Sequence, residues 1–543
     1  MNATDAMFHL DVVARSVPEP VLPSKALNSQ ISGILRATQP FLDTDRDWIL
    51  QNIEILGQQL SVYDALLNHI GEVRLEIQSH RDAVHKSMAT YSSTLAAIRR
   101  LPSDILRAVF LEVQISLWWN LEPSESYSDS EPQALDFSQG PWKLGHVCST
   151  WRGIVLSYPQ LWSRIVLQFG TDNGPVTMLR HIVPTLQAAI LRSAQHPLDI
   201  VFKLWTGRCA GAEVTANEDA AVQVFPVILE ESYRWRSLDI NLSITLLEQL
   251  KVVRGKIPCL ESLTMKTAHY RYLSPEELPE DVRRVFIDAP RLQKVISHPT
   301  RGPNGFMLPL HITHLATFMG NVSNIESYQS LVECHLAIKE GRGPDVSPPH
   351  PIHLPNVRRL FVSSPDLLSR LRLSSLDDLT ISNGPGFELD RNVVVMMNEF
   401  VYRSHCTLTR LAIHHYVSRD PVFINDCLLL MDSLVYLEIG LQSLEVKVIF
   451  DALASIGFLP NLRHLSLRIP SRQPSSLDLF TAMFSSRSQY LRSIRISCGS
   501  SDDVERVNEH LAPLRPPGLL MVVLIDRYYK YDATGCFGKF ESA

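Results

Sequence analysis

Cysteine and histidine are the side chains from which a metal or nucleophilic centre would first be built, and here they are dispersed. His405-Cys406 and His414-His415 are neighbours, but neither pair has the spacing or the additional ligands of a zinc site. The eight cysteines (Cys148, Cys209, Cys259, Cys334, Cys406, Cys427, Cys498 and Cys536) contain no C-x-x-C pair and read as reduced thiols rather than a disulfide framework. Cys148 falls on an apolar helical stripe, which favours burial over nucleophilic chemistry. There is no G-x-S-x-G elbow, no G-x-x-x-x-G-K-[ST] phosphate loop, no G-x-G-x-x-G after a strand and no H-E-x-x-H. The sequence therefore gives no catalytic residue, no cofactor-binding residue and no metal ligand, and a protein that is not an enzyme is expected. Arginine carries what recognition chemistry remains. Its planar guanidinium pairs with carboxylate or phosphate through two parallel hydrogen bonds. Arg358, Arg359, Arg410, Arg463, His464, Arg492 and Arg495 gather late in the chain. Arg359, Arg410, Arg463, His464, Arg492 and Arg495 form a candidate substrate-binding set for an acidic or phosphorylated protein, with ordinary solvated charge as the plainer alternative.

Those arginines lie on or beside a recurring L-x-x-L-x-L pattern in which Leu, Ile, Val and Met interchange. Clear copies are Leu260–Met265, Val357–Val362, Leu376–Ile381, Leu408–Ile413, Leu434–Ile439, Leu462–Leu467 and Leu491–Ile496. Weaker ones are Trp235–Ile240, Ile312–Thr317 and Leu331–Leu336. Many successive copies are about 20 to 32 residues apart, near the leucine-rich-repeat period. Helix-compatible stretches such as 218–233 and 445–455 separate them, so residues 166–543 are expected to stack strand-plus-helix units into an irregular solenoid. The position three after the last aliphatic residue, where regular repeats carry Asn or Cys, is Ala268, Pro365, Gln442, Pro470 or Gly499. The usual asparagine ladder is therefore not expected.

The chain has 543 residues, 45% hydrophobic and 20% charged, with a net charge of −6. Several domains or one elongated array are needed at this length, and the weak net charge offers no whole-chain footprint for nucleic acid. Met1–Leu10 lacks a secretory pattern and the longest apolar run, Leu519–Ile525, is far too short to span a bilayer. A cytoplasmic or nuclear location is expected.

Residues 1–45 contain Pro18, Pro20, Pro23 and Pro40 and are expected to be a loose leader. Residues 46–99 read as one long helix. Ile49, Leu56, Tyr63, Ile70, Ile77, Val84, Tyr91 and Ile98 recur every seven residues. So do Ile53, Leu60, Leu67, Arg74, Arg81, Met88 and Leu95, offset by four. Two such rows form a heptad seam, compatible with packing on the same chain or with a homodimer through 49–98.

Downstream, Leu101-Pro102-Ser103-Asp104-Ile105-Leu106 opens an apolar helix that includes Val109, Phe110 and Val113 and stops near Trp119. An acidic stretch, 120–140, follows with Glu122, Glu125, Asp129, Glu131 and Asp136 and no lysine or arginine. Its alternating serines could be phosphorylated, though a solvated loop is the simpler reading. Next come Leu144-Gly145-His146-Val147-Cys148-Ser149-Thr150-Trp151-Arg152, read as a second helix, and Tyr158-Pro159-Gln160-Leu161-Trp162. This order of motifs, over about 65 residues of 100–165, resembles the F-box, in the form common in large fungal families where a divergent leucine-rich array follows. The 20-residue acidic insert departs from a minimal F-box. The resemblance implies a Skp-family adaptor and a cullin ubiquitin ligase as partners, with Leu101, Pro102, Ile105, Leu106, Val109, Phe110, Leu144, Val147, Cys148 and Trp151 as adaptor-binding residues and a protein substrate held by the solenoid. The expected fold class is thus α plus α/β: a long N-terminal helix, a small all-α F-box and a leucine-rich-repeat-like solenoid. Neither nucleic acid nor membrane is an expected partner.

Overall fold

The computed structural model describes residues 3–22, 24–36, 40–119, 140–169, 181–204, 212–266, 279–297, 306–318, 322–337, 350–382, 388–389, 391–414, 417–418, 428–429, 431–440, 445–469, 476–498, 501–511 and 518–525. They fall into two compact units, Met1–Pro102 and Ser103–Ala543. The acidic stretch 120–140 lies outside the described residues except for Gly140.

The first unit is helical. Helices α1 (Ala3–Arg15) and α2 (Lys25–Leu35) occupy the segment expected to be a loose leader. The prolines do not prevent this, because Pro18, Pro20 and Pro40 fall between helices rather than within them. Helix α3 (Asp43–Thr94) runs for 52 residues, about 78 Å at 1.5 Å per residue. Asp45 fixes its start by accepting the Leu42 N–H at 2.9 Å and the Gln30 side-chain amide at 3.0 Å. The Val21 N–H donates to Gln59 Oε1 at 2.8 Å, and the Tyr63 hydroxyl donates to the Pro18 carbonyl.

The second unit begins with α4 (Ser103–Trp119), α5 (Gly140–Gly145) and α6 (Ser149–Leu156). The expected single second helix is in fact two. Cys148 is extended and serves as the N-cap of α6, its Sγ accepting the Trp151 N–H at 3.5 Å, so the apolar stripe from Leu144 to Val155 spans a helix break. Leu106, Phe110, Ile154, Val155, Leu161 and Trp162 close a small core with Ala189 of α7 (Ile182–Arg192). The Trp162 indole N–H donates to the Val155 carbonyl at 2.8 Å and Gln114 Nε2 to the Leu161 carbonyl at 2.9 Å. The Arg192 guanidinium lies over the Trp142 and Trp162 rings at 4.7 and 4.6 Å. Helix α7 also sends Ile182 and Leu186 into the larger core that follows, so one helix joins the cap to the sheet.

That larger core lies behind a single 14-stranded parallel sheet. Its strands are β1 (Arg164–Phe169), β2 (Leu198–Leu204), β3 (Trp235–Asn241), β4 (Ser262–Lys266), β5 (Lys294–Ser297), β6 (His314–Phe318) and β7 (Glu333–Ala337), then, omitting the short β8 (Ile352–His353), β9 (Arg359–Val362). After β10 (Leu371–Arg372), which pairs with β8, come β11 (Asp378–Ser382) and, past β12 (Glu388–Leu389), β13 (Arg410–His414). Beyond β14 (Val417–Ser418), which pairs with β12, the sheet ends with β15 (Tyr436–Gly440), β16 (His464–Ile469), β17 (Ser493–Cys498) and β18 (Leu520–Ile525). Every strand of the sheet sits beside the next in chain order.

Side chains alternate across a strand, and the pattern residues take the inner face: Leu376, Leu379 and Ile381, or Leu434, Leu437 and Ile439, are all buried. Intervening helices cover them, with Met397 and Phe400, Ile449, Phe450 and Leu453, and Met483 and Phe484 turned inward. The residue before each strand builds the sheet edge. The Arg358 carbonyl accepts the N–H groups of both Asp377 and Asp378, Asp377 those of Thr409 and Arg410, Val435 those of Arg463 and His464, and Arg463 those of Arg492 and Ser493. Asn356 and Asn461 add side-chain bonds to the carbonyls of Gln329 and Asp432, each at 2.9 Å.

Three arginines at helix ends tie successive units together. Arg234 reaches Ser193 Oγ at 2.9 Å and the His196 carbonyl at 3.0 Å. Arg403 donates to the carbonyls of Leu368 (2.7 Å) and Leu371. Arg487, buried, donates to those of Leu453, Ser455, Phe458 and Leu459. Five donors in a fixed fork suit carbonyls left over at helix and turn ends.

Candidate interaction surfaces

The ten motif residues separate by environment. Leu106 (3% exposed) and Phe110 (1%) are core, and Phe110 packs on Trp151 with ring centroids 4.7 Å apart. Leu144 and Trp151 are half-buried against the same core and Cys148 is half-buried at its helix cap. Ile105 (47%) and Val147 (51%) are exposed, and Val109 is half-buried. Ile105, Val109 and the exposed Val113 follow at i, i+4 and i+8, one apolar stripe along α4 that flanks the face carrying Leu106 and Phe110. Leu101 and Pro102, both exposed, belong to the first unit. Ile105 and Val147 are thus exposed and Val109 partly so, while Leu106 and Phe110 hold the helices that carry them.

On the outer face of the sheet, the first residues of consecutive strands stand in register: Lys294, His314, Glu333, Arg359, Asp378, Arg410, Tyr436, His464 and Ser493. Three of the predicted substrate residues, Arg359, Arg410 and His464, stand in this row. Arg495 stands two positions along β17, beside Ser466. Arg463 and Arg492 precede their strands, where their backbones form the edge ladder, and Arg463 Nη1 turns to the Tyr490 carbonyl at 3.1 Å. The six therefore do not all stand in one row.

The centre of the row opens on a groove of about 580 Å³ lined by Lys294, His314, Glu333, Arg359, Asp378 and Arg410 among others. Beside it is a small apolar cluster, Ile296, Ala316 and Ala337. Glu333 is the hub. Its carboxylate meets His335 Nε2 at 2.8 Å, Arg359 Nη1 at 3.4 Å and His314 Nε2 at 3.9 Å. Burial pushes its pKa up, but the bond from His335 and the nearby cationic groups outweigh this and hold it below the ordinary value. Burial raises Asp378, which Arg410 at 3.6 Å only partly offsets, and burial lowers His314. Arg410 also lies 4.3 Å over the Tyr436 ring. Burial and then the Glu438 charge push the Tyr436 hydroxyl up to about 12, and that hydroxyl donates to Glu438 Oε2 at 2.8 Å. Arg359 and Arg410 are held by carboxylates of the neighbouring strands, an arrangement that orients them and balances much of their charge.

Sequence reading did not find Lys294, His314, Glu333, His335, Asp378 or Tyr436. The signal was present: each except His335 sits two positions after the first aliphatic residue of its pattern copy. The β5 copy, Leu292–Ser297, ends on serine rather than an aliphatic residue and so escapes the pattern.

Among the described residues, no group of three or more His, Cys, Asp or Glu side chains could hold a metal ion, and no helix is long and apolar enough to cross a membrane. Burial pushes the Cys334 thiol up to about 12 and Cys406 to about 11, away from thiolate chemistry. What the fold and surfaces define is a parallel-sheet protein of sequential strand order with a helical cap at its first strand. No protein-family model and no curated protein matches the chain.

Proposed function

We propose that this chain is a substrate-recognition adaptor of a Skp–cullin–F-box ubiquitin ligase, working in the cytoplasm or nucleus and performing no bond chemistry of its own. In this reading α4–α6 are the F-box, the sequential parallel sheet is a leucine-rich-repeat-type solenoid, and its outer face receives a protein substrate. The observation that carries it is the division of the motif into buried residues (Leu106, Phe110, Ile154, Val155, Trp162) and an apolar stripe beside them at the exposed Ile105 and half-buried Val109. An apolar stripe along one helix is the kind of surface that an amphipathic helix lays into a partner's groove. Docked on a Skp-family adaptor, the chain would raise the effective concentration of substrate lysines near a charged conjugating enzyme.

A scaffold with no ligase link is the second reading. It is favoured by Ala189 and Arg192, through which the cap closes the first end of the sheet. Pull-down of purified protein with a Skp-family adaptor separates the two. Wild type should bind, and Ile105→Asp with Val109→Asp should not while keeping the wild-type circular dichroism. Absence of binding by the wild type would sink the ligase reading and leave the scaffold.

A further inference from the structure

Helix α3 leaves its seam open to solvent. Leu60, Leu67, Ile77, Val84, Met88 and Leu95 are between 55% and 78% exposed. The Val21 N–H and the Pro18 carbonyl bond to Gln59 and Tyr63 on this helix. An apolar stripe this long is stable in water when a second helix covers it.

The charges say which helix. Residues 43–76 hold seven carboxylates (Asp43, Asp45, Asp47, Glu54, Asp64, Glu72, Glu76) against Arg46 and Arg74, a net of −5. The rest of the helix, residues 77–94, holds Arg81 and Lys86 against Asp82, a net of +1. A parallel pair of copies would set like halves against each other and place Arg74 on Arg74 and Arg81 on Arg81 in the same layers, which is repulsive. An antiparallel pair sets the acidic half on the basic half. With Leu67 of one copy opposite Ile77 of the other, the heptad places Arg81 opposite Tyr63 and beside Asp64.

We infer that α3 is an antiparallel homodimerisation element, a second copy of this chain being the partner. This stands independently of the ligase reading. The helix can be tested in the full-length protein by sedimentation. Wild type should run at twice its 61.3 kDa, dissociate more readily as salt screens the opposed charges, and become monomeric in Leu67→Asp with Ile77→Asp. A wild-type monomer at all concentrations would overturn the inference. Orientation is read by mild oxidation against the wild-type background. A mixture of Met88→Cys and Leu56→Cys chains should give a new interchain disulfide that neither variant gives alone. Self-linking by Met88→Cys alone would mean a parallel pair and would equally overturn it.

Discussion

The sheet and helix α3 are built from the same aliphatic residue types in regular patterns, yet they end in opposite environments. In the sheet, Leu411 and Leu437 are adjacent in register and neither is exposed to solvent. In α3, Leu60 and Leu67 are 62% and 67% exposed. A strand in a sequential array has neighbours from its own chain on both sides and a covering helix behind it, so its apolar face closes locally. Among the described residues of its own unit, the 52-residue helix has only the shorter α1 and α2 beside it in sequence. Periodicity marks an apolar face in both regions; it does not name the surface that will cover it. The cap α4–α6 stands between the two, with one face of α4 closed and the other open.

Four measurements would break or sharpen this contrast. The largest effect is expected at Phe110→Ala in the cap core, about 3–5 kcal/mol, seen as a lower urea midpoint. If Phe110→Ala unfolds like Ile105→Ala, the division between core and outward residues is wrong. Leu437→Ala in the sheet should cost about 2–5 kcal/mol. Leu60→Ala should leave the sheet's transition within about 0.5 kcal/mol of wild type; similar losses in both would erase the contrast. Arg487→Met should cost about 1–3 kcal/mol, because buried carbonyls of Leu453 and Leu459 lose their donor. An unchanged midpoint would show that the arginine ties between units contribute nothing.

The smallest effect concerns pH. Burial lowers the pKa of His314 in the folded state below its usual 6.5, with Lys294 and Arg359 adding to the shift and Glu333 opposing it. Below pH 6.5 the unfolded chain then binds more protons than the folded one, so stability should fall as pH drops from about 7 until the folded group itself titrates. Comparison of unfolding at pH 7.5 and 5.5 should show a shallower decline in His314→Gln than in wild type. Parallel declines would mean that other groups set the slope.

Much of the fold was legible in the sequence. The patterns at Leu260, Val357, Leu376, Leu408, Leu434, Leu462 and Leu491 each mark a strand, because an inward aliphatic at every second position is what a half-buried strand requires. Strands β2 and β18 were not legible, since their apolar runs lack the leading residue of the pattern. The break at Cys148 was hidden too: a stripe at helical spacing continues through it, and only the extended backbone at the cap separates α5 from α6. Likewise, Pro18 and Pro20 in sequence suggested irregularity, where they only separate two helices.

The candidate surfaces divide the same way. By itself the sequence determined the residue types, the order of the helical and strand segments, and which residues have an apolar face, since these follow from local periodicity and backbone preference. Tertiary structure alone decided that Leu106 and Phe110 are buried while Ile105 is exposed and Val109 half-buried. It also decided that Arg359 and Arg410 are held by Glu333 and Asp378, and that Arg463 and Arg492 belong to the sheet edge. Each of these depends on the register between strands 19 to 32 residues apart in sequence, or on which helix packs on which, and no local pattern encodes the partner across such a gap.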